Sequence, residues 1–310
     1  IKNGLPKRML PLAYFFALAG MIGCLPAFQS NQLIQITGDL AFSEIENFNI
    51  LGGLVLAGIT GLVVIGGLKR IAEVATFLVP LMGSIYFGAM IVALMLNLNL
   101  VLPAFKLIFV DAFNGTAIAG GTFFGVLIYG VRRGAFSNEA GMGTESLVHG
   151  VAKVSNPVKQ GLVAMTGPIF DTLIICTATA LMILVSGVWE TSSSQGVTLT
   201  AEAFSILLGS FGGLILFVCV ICFGLSTIFT YSYYGASCSR FLFGKFGMKF
   251  YIYLYILSIF IYSIVPIDIA INIADGAFAM MAIPTLISAL WLAPKVMQAS
   301  KNYFKLIDNN

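Results

Sequence analysis

The sequence has few charged residues, and this scarcity excludes most classes of soluble protein. Only 9% of its 310 residues are Asp, Glu, Lys or Arg, whereas soluble domains average about 25%. Hydrophobic residues make up 59% of the chain, and its mean hydropathy is +0.98. The chain is therefore predicted to be an integral membrane protein. Its net charge of +3 comes from basic residues spread along the chain, a pattern that does not indicate nucleic-acid binding.

Histidine and cysteine are also scarce, which argues against a metal centre or redox chemistry. The single histidine, His149, has no Cys, Asp or His nearby in the sequence to complete a metal site. Cys219 and Cys222 form a C-x-x-C pair, but the surrounding Phe, Val, Ile and Leu residues disfavour a reactive thiolate. The sequence contains no Walker-type loop and no nucleophile–base pair. We therefore predict that the protein is not an enzyme and has no cofactor.

Eight apolar stretches are long enough to cross about 30 Å of hydrocarbon. Segments A to H cover residues 9–28, 48–67, 73–95, 107–130, 160–187, 203–229, 249–265 and 269–292. With the N-terminus in the cytoplasm, all of the 16 Lys and Arg residues except Lys106 fall on the cytoplasmic side. The sequence thus predicts a multi-pass protein of the cell membrane, surrounded by the lipid bilayer, with both ends of the chain in the cytoplasm.

Segment D differs from an ordinary spanning helix because it is rich in glycine. Glycine costs about 1 kcal/mol in a helix interior and adds no apolar area. One interpretation is a helix interrupted near the middle of the membrane, as in secondary transporters, where the free backbone groups contact substrate and ions. The other is close packing between helices. The residues concerned are Gly115, Gly120, Gly121, Gly125 and Gly130.

Polar side chains inside the other apolar segments also allow two interpretations. Asp171 in segment E is either a functional site, the default for an ionisable group in a membrane, or a hydrogen-bonded structural anchor. The hydroxyls of Ser226 and Thr227 in segment F suit a hard monovalent cation, but such hydroxyls often bond the preceding helical turn instead. Tyr231 could belong to an interfacial aromatic belt.

Several strings resemble the alanine or glycine:cation symporter family, the sodium-coupled amino-acid carriers of bacteria and archaea. The most specific is VRRGAFSNEAGMGT at 131–144. The others are GLKRIAEV at 67–74, HGVAKVSNPVKQGLVAM at 149–165, FDTLI at 170–174, STIFTYSYYG at 226–235 and ADGAFAMMAIPTLI at 274–287. Their spacing fits throughout, so the resemblance covers essentially the whole chain.

This resemblance implies an all-α polytopic membrane protein with a leucine-transporter-type inverted repeat of five plus five helices. Residues 1–98 would be the last three helices of the first repeat, residues 99–292 the second repeat with a discontinuous first helix, and residues 293–310 a cytoplasmic tail. The Gly-Thr-Gly-Asn string that marks the family's first broken helix is absent, as is the helix after it. The chain is therefore expected to be an N-terminally incomplete fragment, the C-terminal two-thirds of such a carrier, and not to transport alone.

The resemblance also implies roles for individual residues in segments A, D and F. Gly120 and Gly121 would be the unwound point of segment D and would offer backbone groups to the substrate. Gln29 and Asn31, which resemble the family's Gln-x-Asn, would contact the substrate from the end of segment A. Tyr231 stands where the family usually has Trp, so it is expected to line the substrate site and to change its size.

The remaining candidates concern the coupling ion and the charged groups. Ser226 and Thr227 are expected to supply hydroxyls to sodium, and Thr227 also to contact the substrate. Further functional candidates are Asn138, Glu139, Asp171 and Asp275.

The resemblance implies a secondary active symporter that works by alternating access. It would import a small neutral amino acid, alanine or glycine, with Na+ as the coupling ion, and would act as a monomer without a nucleic-acid partner. The alternative is a proton-coupled carrier of the same fold, which would depend on Asp171 or Asp275 rather than on hydroxyls.

Overall fold

A computed structural model describes residues 1–113 and 122–308, and these residues form helices joined by short turns. A short 3-10 helix at Lys7–Met9 precedes the first α-helix. The α-helices are α1 (Leu10–Gly23), α2 (Ala27–Ala41), α3 (Phe48–Val64), α4 (Gly67–Leu96), α5 (Leu98–Ala112), α6 (Thr122–Asn138), α7 (Thr144–His149), α8 (Pro157–Pro168), α9 (Thr177–Ser186), α10 (Val188–Thr191), α11 (Val197–Leu208), α12 (Ser210–Ile264) and α13 (Ile267–Asp308). A π-helical segment, Ile169–Cys176, joins α8 to α9.

Segment A is divided in the structure, because α1 ends at Gly23 and α2 begins after Pro26. Proline has no N–H group to bond the preceding turn, and it restricts the conformation of the residue before it. The helix resumes directly and continues to Ala41, through residues that the apolar pattern left between segments A and B. This extension places Gln29 and Gln32 on the same helix, which packs against α3, α12 and α13.

Helix α12 is the centre of the structure and packs against α1, α2, α3, α4 and α11. Segments F and G, predicted as separate spans, are the two parts of this helix, which changes direction at Gly244, where φ is 68°. The predicted start of segment F at residue 203 is wrong, because the helix breaks at Gly209 (φ 72°) and α12 begins after it. The polar and small residues after Thr230 remain helical because their side chains pack inside the bundle.

Two buried tyrosines connect the parts of α12 to each other and to α1. The Tyr255 hydroxyl donates to the Ile228 carbonyl at 2.6 Å, and the Tyr251 hydroxyl donates to the Met21 carbonyl at 2.8 Å. Gly235 allows this approach, since a Cβ atom there would lie 2.0 Å from the Tyr251 hydroxyl. Burying a hydroxyl without a partner is unfavourable, so these bonds make the tyrosine-rich half of α12 compatible with the core.

Within the described residues, five helical stretches are long and apolar enough to cross a membrane. They are Lys7–Ala41, Gly67–Leu96, Pro157–Ser186, Ser210–Ile264 and Ile267–Ile307, and Phe48–Val64 is a shorter apolar helix. Large apolar side chains face outwards, as a lipid environment requires: Leu102 and Leu290 are 76% exposed. The all-helical membrane class is confirmed, whereas the count of eight spans, the inverted repeat and the division at residues 98 and 292 stay predictions.

Candidate functional site

The described residues surround a cavity of about 540 Å³ beside the first half of α12. This volume is within the range of about 300–1,000 Å³ typical of small-molecule sites. Its walls come from α2, α4, the end of α6, the π-helical segment, α9, α11 and α12, so distant parts of the chain meet here. The polar side chains that line it include Gln29, Gln32, Arg133, Ser137, Glu139, Thr179, Thr200, Thr227 and Tyr231.

Thr227 and Tyr231 line the cavity together because they are four residues apart on α12 and so share one face of the helix. The Thr227 side chain is half-buried, and its hydroxyl makes no hydrogen bond to the residues that the structure describes. Tyr231 is buried, with its ring edge-on to Phe278 at a centroid distance of 6.4 Å. The hydroxyl of Thr227 is therefore available to an occupant, and the ring of Tyr231 limits the occupant's size.

Glu139 reaches the cavity from the turn between α6 and α7, where the backbone has an unusual conformation. Its φ of 55° is in the left-handed region, which non-glycine residues adopt at a cost of about 1–3 kcal/mol. Gly141 and Gly143 follow with φ of 81° and 92°. A Cβ atom at Gly143 would lie 2.6 Å from both Phe16 Cε2 and Thr285 Oγ1, so only glycine fits. The packed turn therefore fixes Glu139 against the cavity.

The environment of Glu139 favours its protonated form more than water does. Burial raises the pKa of this carboxyl, and the hydroxyls of Thr144 and Tyr231 offset part of that rise. Glu145 and Asp171 raise the pKa slightly further because they are also acidic.

Asp171 and Asn138 connect the π-helical segment to the end of α6. The Ser137 hydroxyl donates to Asp171 Oδ2 at 2.6 Å, and the Asn138 amide donates to Thr172 Oγ1 at 3.2 Å. Asn138 Oδ1 also accepts the backbone N–H of Ala140 at 2.9 Å. These bonds correspond to the interpretation of Asp171 as a structural anchor. Neither Asp171 nor Asn138 lines the cavity.

Asp275 of α13 forms an ion pair with Arg133 of α6. Arg132 is a second, weaker partner, with Nη1 at 3.7 Å from Asp275 Oδ2. Asp275 Oδ1 and Arg133 Nε are buried without a hydrogen-bond partner, and the guanidinium lies over the ring of Phe136 at 5.5 Å. Arg133 lines the cavity, whereas Asp275 lies on the other side of this contact.

Two of the residues predicted to bind substrate or sodium do not line the cavity either. The Asn31 amide donates to the backbone carbonyls of Val265 and Tyr262 at 2.7 and 3.3 Å, so it fixes the end of α12. The Ser226 hydroxyl is buried and donates to the Phe223 carbonyl at 2.9 Å, the local bond common for serine in membrane helices. The predicted unwound point at Gly120 and Gly121 lies outside the described residues.

Other lining residues were missed by the sequence reasoning. Gln32 lies three residues after Gln29 and therefore shares its helix face, a spacing that the sequence offered as a signal. Its Oε1 accepts the backbone N–H of Val197 at 3.4 Å, close to Gly196, where a Cβ atom would lie 2.6 Å away. Ser137 precedes the Asn138–Glu139 pair directly. Thr179 and Thr200 lie in apolar helices without any distinguishing pattern.

Comparisons with known proteins identify membrane transporters that are similar to this chain. The chain is 34% identical over 315 residues to "Sodium/alanine symporter AgcS" of Methanococcus maripaludis, covering 100% of this chain and 69% of that protein. It is 36% identical to "Uncharacterized transporter YflA" of Bacillus subtilis, covering 96% of this chain and 64% of that protein. It is 32% identical to "Probable sodium/glutamine symporter GlnT" of the same bacterium, covering 98% and 63%.

The chain thus spans about two thirds of the length of these relatives. The sequence model of one transporter family, described as "Sodium:alanine symporter family", matches residues 1–310. The match covers the whole of this chain, and it does not confirm the prediction that the chain is the C-terminal two-thirds of such a carrier. The family model and the relatives both indicate sodium-coupled transporters, so the chain belongs to the sodium:alanine symporter family of membrane transporters.

Proposed function

We propose that the protein imports a small neutral amino acid, alanine or glycine, together with sodium by alternating access. The observation that carries this proposal is the cavity wall on which Thr227 and Tyr231 of α12 face Gln29 of α2. A hydroxyl, an amide and a ring around a confined space suit an amino acid with a small side chain. Two of the relatives, a sodium/alanine symporter and a probable sodium/glutamine symporter, support the same class of substrate and ion.

The polar groups of the cavity also suit a zwitterion. Arg133 and Glu139 give its wall one positive and one negative side chain, and the remaining polar groups are uncharged. Sodium entry would supply about 2.3 kcal/mol per charge for each 100 mV of membrane potential, in addition to the concentration gradient. Movement of α12 relative to the helices around it would expose the cavity to each side in turn.

The test is uptake of labelled alanine and glycine into proteoliposomes, with the protein produced from the whole reading frame that contains this chain. We expect uptake that requires an inward sodium gradient and that falls at least tenfold in Thr227→Ala. Thr230→Ala is the matched control, since the Thr230 hydroxyl is bonded to the Ser226 carbonyl at 2.8 Å and does not line the cavity.

Two results would contradict the proposal in different ways. Uptake that is unaffected by sodium but follows pH would assign coupling to protons. No uptake of either amino acid by the unaltered protein would exclude the proposed substrates. Tyr231, which replaces the family's usual Trp, would then be the first residue to test for a changed substrate preference.

A further inference from the structure

Glu139 is a cavity-lining carboxyl without a cationic partner among the described residues, which distinguishes it from the other acidic candidates. Asp171 accepts hydrogen bonds from Ser137 and Thr172, and Asp275 is paired with Arg133. Glu139 has no ion-pair partner within the described ranges, and the groups that act on its carboxyl are the uncharged hydroxyls of Thr144 and Tyr231 and the acidic Glu145 and Asp171. A carboxylate away from bulk water is unfavourable unless a positive charge or hydrogen-bond donors compensate it.

The titratable groups around Glu139 come from several helices and turns, and none of those that act on its pKa carries a positive charge. Those in electrostatic contact with it are Cys24 after α1, Tyr231 and Tyr234 of α12, Glu145 of α7 and Asp171 of the π-helical segment. Arg133 is the positive side chain on the same cavity wall, and Asp275 already engages it. The described chain therefore leaves a negative charge in the cavity that its own residues do not neutralise.

The fold holds Glu139 at this place despite the energetic cost. Its backbone is in the left-handed region, and the same turn packs closely against Phe16 and Thr285 at Gly143. Strain of this kind persists only where the surrounding structure determines the conformation, and it is concentrated at functional sites. The carboxyl is half-buried, and its exposed part opens into the cavity.

We infer that the Glu139 carboxylate is the point in the cavity that binds the positive charge of an occupant. A monovalent cation fits this position, and it could be the ammonium group of an amino acid or a sodium ion. The inference rests on the proposed function, because it assigns a binding group within the same cavity. Burial and the acidic neighbours bring Glu139 closer to protonation, so cation binding competes with proton uptake.

The experiment measures binding by calorimetry on the detergent-purified protein from the whole reading frame. Sodium chloride is titrated against a choline chloride background without amino acid, and alanine is titrated at saturating sodium. For Glu139→Gln we expect at least tenfold weaker binding in one of the two titrations. Weaker sodium binding without alanine identifies the sodium ion as the partner. Unchanged sodium binding with weaker alanine binding identifies the ammonium group. Unchanged affinity in both titrations would overturn the inference.

Glu190→Gln is the matched control, because Glu190 is exposed on α10 and does not line the cavity. Its affinities should stay within twofold of the unaltered protein. Glu139→Asp keeps the charge and should bind the same cation more weakly, which preserves the test if Glu139→Gln does not fold. Failure of the proposed function would be recognised separately, since the unaltered protein would then show no sodium-dependent uptake.

The pH dependence separates a binding role from a purely structural one. As the pH falls, Glu139 takes up a proton, loses its charge and releases the cation. Affinity should therefore weaken towards acidic pH, beginning above the ordinary pKa of a glutamate because burial raises the pKa of Glu139. Glu139→Asp should keep a pH dependence, and Glu139→Gln should lose it. A flat profile in the unaltered protein and in Glu139→Asp would contradict the inference.

Discussion

Gly143 is a residue at which the addition of one methyl group should disturb the site. A Cβ atom would overlap Phe16 and Thr285, and the φ of 92° is unfavourable for any L side chain. We expect Gly143→Ala to lower the free energy of unfolding by about 1–3 kcal/mol. The melting temperature in detergent can be followed with a thiol-reactive dye, because Cys24 and Cys219 are buried until the protein unfolds.

The control for this substitution is Gly88→Ala in the interior of α4, where nothing lies within 4 Å of the added carbon. Alanine is favoured over glycine in a helix by about 0.5–1 kcal/mol, so the melting temperature should stay the same or rise. A Gly143→Ala protein as stable as the unaltered one would show that the turn can move away from Phe16.

Tyr231 offers a test of how the site limits substrate size. Tyr231→Trp introduces a larger ring into a buried position on the cavity wall, so the space left for a substrate side chain should shrink. We expect the ratio of kcat/KM for alanine to that for glycine to fall about tenfold, the effect of one methyl group in a tight apolar pocket. Tyr253→Trp, at a position that is 65% exposed, should leave the ratio unchanged. An unaltered ratio in Tyr231→Trp would remove this ring from the substrate site.

At the scale of elements, the ion pair between Arg133 and Asp275 joins α6 to α13. The Asp275 side chain is only 12% exposed, and its loss would leave the Arg133 guanidinium partly buried without a counter-charge. We expect Asp275→Asn to destabilise the protein by about 3 kcal/mol, the usual consequence of removing one partner of a buried pair. The same thiol-dye melting experiment measures the change.

Glu73→Gln is the control, because it removes an exposed pair, Lys69–Glu73, whose side chains are 90% and 64% exposed. Such pairs contribute about 0–1 kcal/mol, so its melting temperature should hardly change. Equal melting temperatures for Asp275→Asn and Glu73→Gln would show that α6 and α13 are held together by other contacts.

Helix geometry explains which predicted site residues meet and which do not. Thr227 and Tyr231 share the cavity because a spacing of four residues places them on one side of α12. Gln29 and Asn31 were predicted as a pair, but residues two apart on a helix point in different directions, so only Gln29 lines the cavity. The same geometry separates Ser226 from Thr227. Partners that depend on tertiary packing, such as Arg133 with Asp275, have no signature in the local pattern.

For the whole molecule, the distribution of basic residues predicts the orientation in the membrane. The loop before α11 contains no Lys or Arg and should face outwards, whereas the segment before α8 contains Lys153 and should face the cytoplasm. In a chain whose five cysteines are replaced by alanine, Ser193→Cys should react with an impermeant maleimide on intact cells. Ser155→Cys, which is equally exposed, should react only after permeabilisation. The reverse pattern would invert the predicted topology.

The sequence predicts the class and the helical segments of this molecule better than their limits. Apolar composition indicated a membrane protein, because 9% charged residues is far below the average of about 25% in soluble domains. Residues 230–248, left between segments F and G, are helical except at the kink at Gly244, because the small and polar residues around Gly235 are buried by Tyr251 of the same helix. Hydropathy measures the preference of a segment for lipid. It therefore does not identify a helical segment whose polar side chains are buried against other parts of the protein.

The π-helical segment has a consequence for changes in chain length. The Thr177 hydroxyl donates to the Thr172 carbonyl five residues earlier at 3.4 Å, the wider spacing that accommodates an extra residue. Deletion of one residue from Ile169–Cys176 should therefore leave a regular α-helix in which α8 and α9 keep nearly the same relative rotation, because the π-helical turn holds one residue more than an α-helical turn. Natural variants of this protein that are one residue shorter here would thus keep the directions of α8 and α9 and would change only the wider turn that places Asp171 against Ser137.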